Sequence, residues 1–296
     1  MTSGTVTAGN GQPAEILAVR PRSGYVTAHG REMHYSEWGR PGARPVVLWH
    51  GLARTGRDFD VLATALSDTY RLIAPDTIGR GLSQWSAKPD EEYHLAFYAE
   101  TARALADALG LSNFDWVGTS MGGSLGIRAA ASTLQGRIGR LVINDIGPTF
   151  PEAPFERIKA YIGKPPEFAT VGELEAYFQT IYKPFGWHSP AQWRHMAETS
   201  LRRLPTGQIT THYDPAIVRQ MFAHPRDYEL WDHYDRITAR TLVLRGADSD
   251  LLLPDIAREM TVRGPKAKVV EIAGCGHAPA LNVESQIAIV RNFLAG

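Results

Sequence analysis

Trp116-Val117-Gly118-Thr119-Ser120-Met121-Gly122-Gly123 reads as a strand that ends in a sharp turn and runs on as a helix. The turn has the form Gly-x-Ser-x-Gly with Ser120 at its centre. A serine hydroxyl is a poor nucleophile, so chemistry at Ser120 needs exposure, a base and donors for the oxyanion that attack creates. A strand-to-helix turn meets the first need and part of the third. It lifts the Ser120 hydroxyl clear of the sheet edge and aims the Met121 N–H and the helix N-terminus at developing negative charge. Gly118 and Gly122 leave room where a Cβ would collide with the neighbouring strand or helix. Glycine and serine are common, so the remainder of the chain must supply the partners.

Upstream of this turn, Tyr25–His29 and Glu32–Trp38 alternate apolar and polar residues around His29-Gly30-Arg31, the pattern of a hairpin. Residues 1–22 show no apolar period and are expected to form a loose N-terminal arm. Val46-Val47-Leu48-Trp49, bounded by Pro45 and Gly51, predicts a strand buried on both faces, as in a parallel sheet. It ends in His50-Gly51, where the glycine lets the backbone come close to a bound group and offers the Leu52 N–H as a candidate second oxyanion donor, with a plain strand-to-loop turn as the alternative. Tyr70–Ala74 predicts another buried strand leading into Asp76 and Gly79-Arg80-Gly81, where Asp76 is expected to bond loop amides. His94–Leu109 is amphipathic at helical spacing and stops at Gly110. Gly139–Asn144 predicts the next strand, closing on Asp145.

Downstream, residues 149–235 contain no run that reads as a buried strand. They carry helical stretches broken by Pro and Gly and a high density of aromatics, from Phe150 to Trp231. This segment predicts a helical cap inserted into a sheet domain of residues 23–148 and 236–296. Most of its aromatics are expected to pack on one another and together to form an apolar roof. Strands resume at Thr241–Gly246 and Lys268–Ile272, and the chain closes in an amphipathic helix, Val283–Leu294. Alternation of strands and helices from Val46 to Asp145 predicts an α/β fold, a mostly parallel sheet with helices on both faces. In such sheets reactive groups lie beyond the strand C-termini. His50, Asp76, Ser120 and Asp145 all fall there.

Composition narrows the function. The 296 residues carry 31 Lys+Arg against 31 Asp+Glu, a formal charge of zero, with no basic stripe of the kind nucleic-acid binding needs. No apolar run approaches the ~20 residues of a membrane-spanning helix. The N-terminus lacks the charged-then-apolar pattern of a secretory signal. A single cysteine, Cys275, leaves no intramolecular disulfide and no cysteine-built metal site. The expectation is a soluble, cytoplasmic, metal-free protein with a small-molecule substrate and neither nucleic-acid nor membrane partners. Cys275, two residues before His277, is read as a small buried thiol rather than a nucleophile.

Five motifs share this chain order: His50-Gly51, Asp76-x-x-Gly79-x-Gly81-x-Ser83, Gly118-Thr119-Ser120-Met121-Gly122-Gly123, Arg245-Gly246-x-x-Ser249-Asp250 and Gly274-x-Gly276-His277. Each falls at a strand end, and together they resemble the α/β-hydrolase family from Tyr25 onward. The resemblance implies a Ser–acid–His triad, an oxyanion hole of backbone N–H groups, and no cofactor. Ser120 is then the nucleophile, His277 the base, and Leu52 and Met121 the oxyanion donors. For the acid, Asp250 is placed first because it precedes Pro254 by four residues, the spacing common in related sequences. Asp248 and Asp145 stand as the alternatives. A serine nucleophile argues against the dehalogenases and epoxide hydrolases of this fold, which use aspartate. The expected reaction is hydrolysis of a small to medium, fairly apolar carboxylic ester through an acyl-enzyme. Lactonase, C–C hydrolase, acyltransferase and perhydrolase chemistry use the same triad. A non-catalytic receptor on the same scaffold is the reading from a different class.

Overall fold

The arrangement of β-branched and aromatic residues on both faces of short strands is realised as one eight-stranded sheet. The computed structural model describes residues 20–296. The predicted N-terminal arm lies almost wholly outside them. Its last residue, Arg22, already belongs to strand β1 (Arg22–Ala28), which pairs antiparallel with β2 (Arg31–Trp38) across the His29-Gly30 turn. The sheet continues through β3 (Arg44–Trp49), β4 (Tyr70–Pro75), β5 (Phe114–Thr119) and β6 (Ile138–Asn144). After a long insertion come β10 (Arg240–Gly246) and β11 (Lys268–Ile272), the insertion itself holding β7 (Glu167–Phe168), β8 (Leu201–Arg203) and β9 (Ile209–Thr211). Strand order in the large sheet is β1-β2-β4-β3-β5-β6-β10-β11, parallel from β4 onward.

Successive side chains leave a strand on opposite faces, and the core shows it. Val47 and Trp49 of β3, Trp116 of β5 and Leu141 and Ile143 of β6 pack into one hydrophobic cluster. Val46, Leu48, Val117 and Val142, their alternates, pack into a second cluster on the other face. Helices cover both: Leu95–Ala108 and Met121–Ala130 on the first, Asp60–Leu66 and Glu284–Ala295 on the second. The parallel register sets Trp49 beside Gly118, Gly118 beside Ile143 and Ile143 beside Val243. Four strands therefore end level with one another, which is what gathers the site.

Residues between β6 and β10 form helices Glu152–Ile162, Val171–Ile181 and Pro190–Thr199 with shorter turns. They also form a small antiparallel sheet, β7-β9-β8, where the sequence predicted helices alone. Those strands are two or three residues long, too short to show a two-residue period. Phe178, Leu174, Ala197 and Ile209 make a core of their own, with Phe168, Tyr177, Tyr182 and Trp193 packed around it. This segment bonds to loops at the C-terminal edge of the large sheet: the Gly81 amide donates to His212 O, Gly276 to Pro184 O, and His195 Nε2 meets Asp60 at 2.7 Å. Among the described residues no helix is long and apolar enough to cross a membrane.

Candidate active site

Ser120 is the single residue between β5 and the helix Met121–Ala130 and has φ +53°, a conformation that costs a non-glycine residue of order 1–3 kcal/mol. The surroundings enforce it. The Ser120 amide donates to Asn144 O on β6 at 2.9 Å, and its carbonyl accepts from Gly123 and Ser124. The helix backbone crosses so close to β5 and β3 that a Cβ on Gly118 would lie 2.1 Å from Gly122 O. One on Gly122 would lie 2.0 Å from Trp49 O. Trp49 and Trp116 stack beneath at 5.0 Å, and Trp116 Nε1 donates to Gly122 O.

The Ser120 hydroxyl lies 2.8 Å from His277 Nε2, and His277 Nδ1 lies 2.9 Å from Asp145 Oδ2. A carboxylate can only accept, so Nδ1 carries the proton and Nε2 is left as the acceptor for the serine O–H. The carboxylate that meets His277 is therefore not the one the spacing argument chose. Asp250 is about half exposed and ion-pairs with Arg157 at 2.7 Å. Asp248 is exposed as well, with its amide on Cys275 O. Asp145, the third alternative, is completely buried. The physical reason is register: Thr119 pairs with Asn144, so the residues that follow, Ser120 and Asp145, leave neighbouring strands side by side. The loop after β10 contributes support instead of the acid. The Gly246 amide donates to Asp145 Oδ1 at 2.7 Å, and the Ser249 hydroxyl to Oδ2 at 2.6 Å. Ser249 stood inside the motif quoted for that loop, but nothing local marked it as the carboxylate's partner.

Gly51 abuts Ser120, since a Cβ there would lie 3.6 Å from Ser120 Cβ. The amide that follows, Leu52 N–H, and that of Met121 donate to no backbone or side-chain acceptor among the described residues. His50 holds the peptide between Gly51 and Leu52. The Thr77 amide donates to His50 Nε2 at 2.9 Å, which makes Nδ1 the protonated nitrogen, and Nδ1–H donates to Gly51 O at 2.7 Å. Complete burial pushes the His50 pKa down to about 4, so the ring is neutral at pH 7. Asp76 does what the sequence suggested: it accepts from the Gly56 and Leu82 amides and meets His34 Nδ1 at 2.8 Å. Burial opposes its charge, but these bonds hold its carboxyl below the usual range. Burial also pushes the Cys275 thiol up to about 11, which removes it as a nucleophile at neutral pH.

An open crevice of about 650 Å³, counting the solvent at its mouth, runs between the 3-10 turn Gly56–Phe59 with the start of the helix Asp60–Leu66 and the helix Pro190–Thr199. Thr119 and Ala278, the chain neighbours of Ser120 and His277, line it together with His50, His188, Gln192 and Asn282.

A parallel sheet with a serine turn, a histidine and a buried aspartate at adjoining strand ends defines a class, and the sequence comparison agrees with it. The model of the alpha/beta hydrolase family matches residues 46–289, so the chain belongs to that family and is a hydrolase. It is 38% identical over 294 residues to the 3-hydroxybutyrate-oligomer hydrolase of Cupriavidus necator, covering 95% of this chain and 100% of that one. It is 28% identical over 269 residues to the N-formylmaleamate deformylase of Pseudomonas putida, covering 86% and 89% respectively. Among solved structures, an alpha/beta hydrolase from Novosphingobium aromaticivorans superimposes with a TM-score of 0.80 at 30% identity, over 93% of this chain and 98% of that one.

Proposed function

We propose that this protein is a serine carboxylic-ester hydrolase that works through an acyl-enzyme, with short linear esters of aliphatic hydroxy acids as its substrate class. The observation that carries the mechanism is the unbroken chain from the Ser120 hydroxyl to His277 to the buried Asp145 carboxylate. Ser120 Oγ attacks the ester carbonyl while His277 Nε2 takes its proton. Asp145 holds the imidazole in the required tautomer and stabilises the imidazolium. The Leu52 and Met121 amides receive the oxyanion. His277 then protonates the departing alcohol and activates the water that frees the acid. Each step uses a group of this chain.

End-to-end similarity to a 3-hydroxybutyrate-oligomer hydrolase supports the substrate class. The aromatic segment above the site and the zero net charge fit an ester that is neutral or carries a single charge. Hydrolysis of 3-hydroxybutyrate dimer and trimer and of p-nitrophenyl butyrate, followed by released acid or nitrophenol, tests the reading. Turnover should fall by about 10⁶-fold in Ser120→Ala, on the precedent of other triads. Turnover that survives the loss of the Ser120 hydroxyl would remove serine from the mechanism. Activity on p-nitrophenyl butyrate without activity on the oligomers would keep the ester chemistry and discard the substrate class.

A further inference from the structure

Arg80 lies between Gly79 and Gly81, both at positive φ, in a loop too crowded for side chains at either glycine. A Cβ on Gly79 would sit 2.5 Å from the Tyr93 hydroxyl, and one on Gly81 2.2 Å from Asp76 Oδ2. The loop therefore turns Arg80 into the protein, where its side chain is completely buried. Nε donates to Leu52 O at 2.8 Å, and Nη1 to Ile78 O at 2.8 Å and to the Tyr98 hydroxyl at 2.7 Å. Nη2 lies 3.7 Å from Met121 Sδ. The guanidinium also faces the rings of Tyr93 and Tyr98. Among the described residues no carboxylate comes within ion-pair distance of it.

Burying a cation without a counter-ion is costly, and a methionine or leucine would fill the space without that cost. The position of the guanidinium suggests what offsets it. Its contacts include both residues whose amides face the developing oxyanion: Leu52 through its carbonyl, Met121 through its thioether. The Leu52 N–H lies between two carbonyls, and each is tied down, Gly51 O by His50 and by the Arg54 amide at 3.2 Å, and Leu52 O by Arg80. The segment from Gly51 to Arg54 is a turn outside any helix or strand, so beyond that single turn bond no regular structure holds it, and Arg80 holds the Leu52 carbonyl. We propose that Arg80 is the positioning residue of the oxyanion hole. By holding Leu52 O it fixes the turn that presents the Leu52 N–H, and its Nη2 rests against the Met121 side chain beside the second amide, so that both donors are placed for the charge of the tetrahedral intermediate. This rests on the serine-hydrolase reading above and adds a residue to it.

Arg80→Met, Arg80→Lys and Tyr98→Phe, with wild type and Ser120→Ala beside them, test it on p-nitrophenyl butyrate and on inhibition by an alkyl trifluoromethyl ketone. That inhibitor adds to the serine as a hemiketal whose oxygen occupies the oxyanion hole. Arg80→Met should lower kcat by about 10²-fold, the lower end of the loss of one oxyanion donor, with KM changed by less than about threefold. Trifluoromethyl ketone affinity should weaken in proportion. Arg80→Lys should recover about tenfold of the loss, because it keeps the charge and one bond. Tyr98→Phe, which removes one of the acceptors that orient the guanidinium, should show the same pattern on a smaller scale and decides the matter if Arg80→Met does not fold. A loss confined to KM, or a kcat loss with unchanged ketone affinity, would overturn the positioning role. An active wild type with unimpaired Arg80 and Tyr98 variants overturns this proposal alone. A wild type that neither cleaves esters nor binds the ketone overturns both it and the serine-hydrolase reading.

Discussion

Asp145 and Asp250 show how far two identical side chains can differ in consequence. Asp145 is completely buried and accepts from Gly246, Ser249 and His277. Replacing it with asparagine keeps its size but offers His277 an amide that favours the wrong tautomer. Asp145→Asn should therefore lower kcat by about 10⁴-fold, the loss found when a triad acid is changed in this way. Asp250 is half exposed on an ion pair with Arg157, a contact worth little in water. Steady-state kinetics of Asp250→Asn should stay within about twofold of wild type. The reverse ranking would restore the acid that the spacing to Pro254 suggested. The meeting of Ser120 and His277 was legible as sequence because each sits in a glycine-flanked turn at a strand end. The carboxylate that meets His277 was not, because an aspartate after a strand looks the same whichever strand it follows.

At the scale of the element, the strand-to-helix turn works because two backbones touch. The helix Met121–Ala130 packs its first turn against β3 and β5 with Gly122 over Trp49 O and Gly118 under Gly122 O. A methyl group at 2.0 Å from a main-chain oxygen cannot be absorbed by a rotamer change, since neither partner is a side chain. Gly122→Ala should destabilise the fold by about 3 kcal/mol or more, above the usual cost of overpacking, seen in urea melts or as loss of soluble protein. A melt within about 0.5 kcal/mol of wild type would mean that the helix can lift from the sheet. The strands themselves were readable from continuous apolar runs, and their burial on two faces followed. The short β7, β8 and β9 were hidden because two or three residues carry no period.

Across the whole molecule, His50 couples the site to global stability. It is buried without exposure, holds the Gly51 carbonyl and accepts from Thr77, and its pKa is pushed from 6.5 down to about 4. Between those two values the unfolded chain binds a proton that the folded chain refuses, so stability rises with pH there. The contribution is fully present above pH 6.5 and lost as pH falls toward 4, by about 3 kcal/mol in all. Urea melts of wild type and His50→Asn from pH 4 to pH 7 should show this slope in the first and a shallower one in the second. Equal slopes would place the acid sensitivity elsewhere.

What the sequence determined by itself is the class: alternating strands and helices, a serine turn, a glycine-flanked histidine and an inserted segment rich in aromatics. Each is written in contiguous residues, because strand burial, turn shape and helix starts depend on near neighbours along the chain. What only the tertiary structure decided is which distant groups meet. Asp145 rather than Asp250 reaches His277 because β5 and β6 lie side by side in a register that brings Ser120 and Asp145 out together. Arg80 reaches Leu52 and Met121 because a crowded glycine loop drives it inward. Register between strands and the direction of a loop are set by packing across the whole sheet, and no stretch of local sequence carries them.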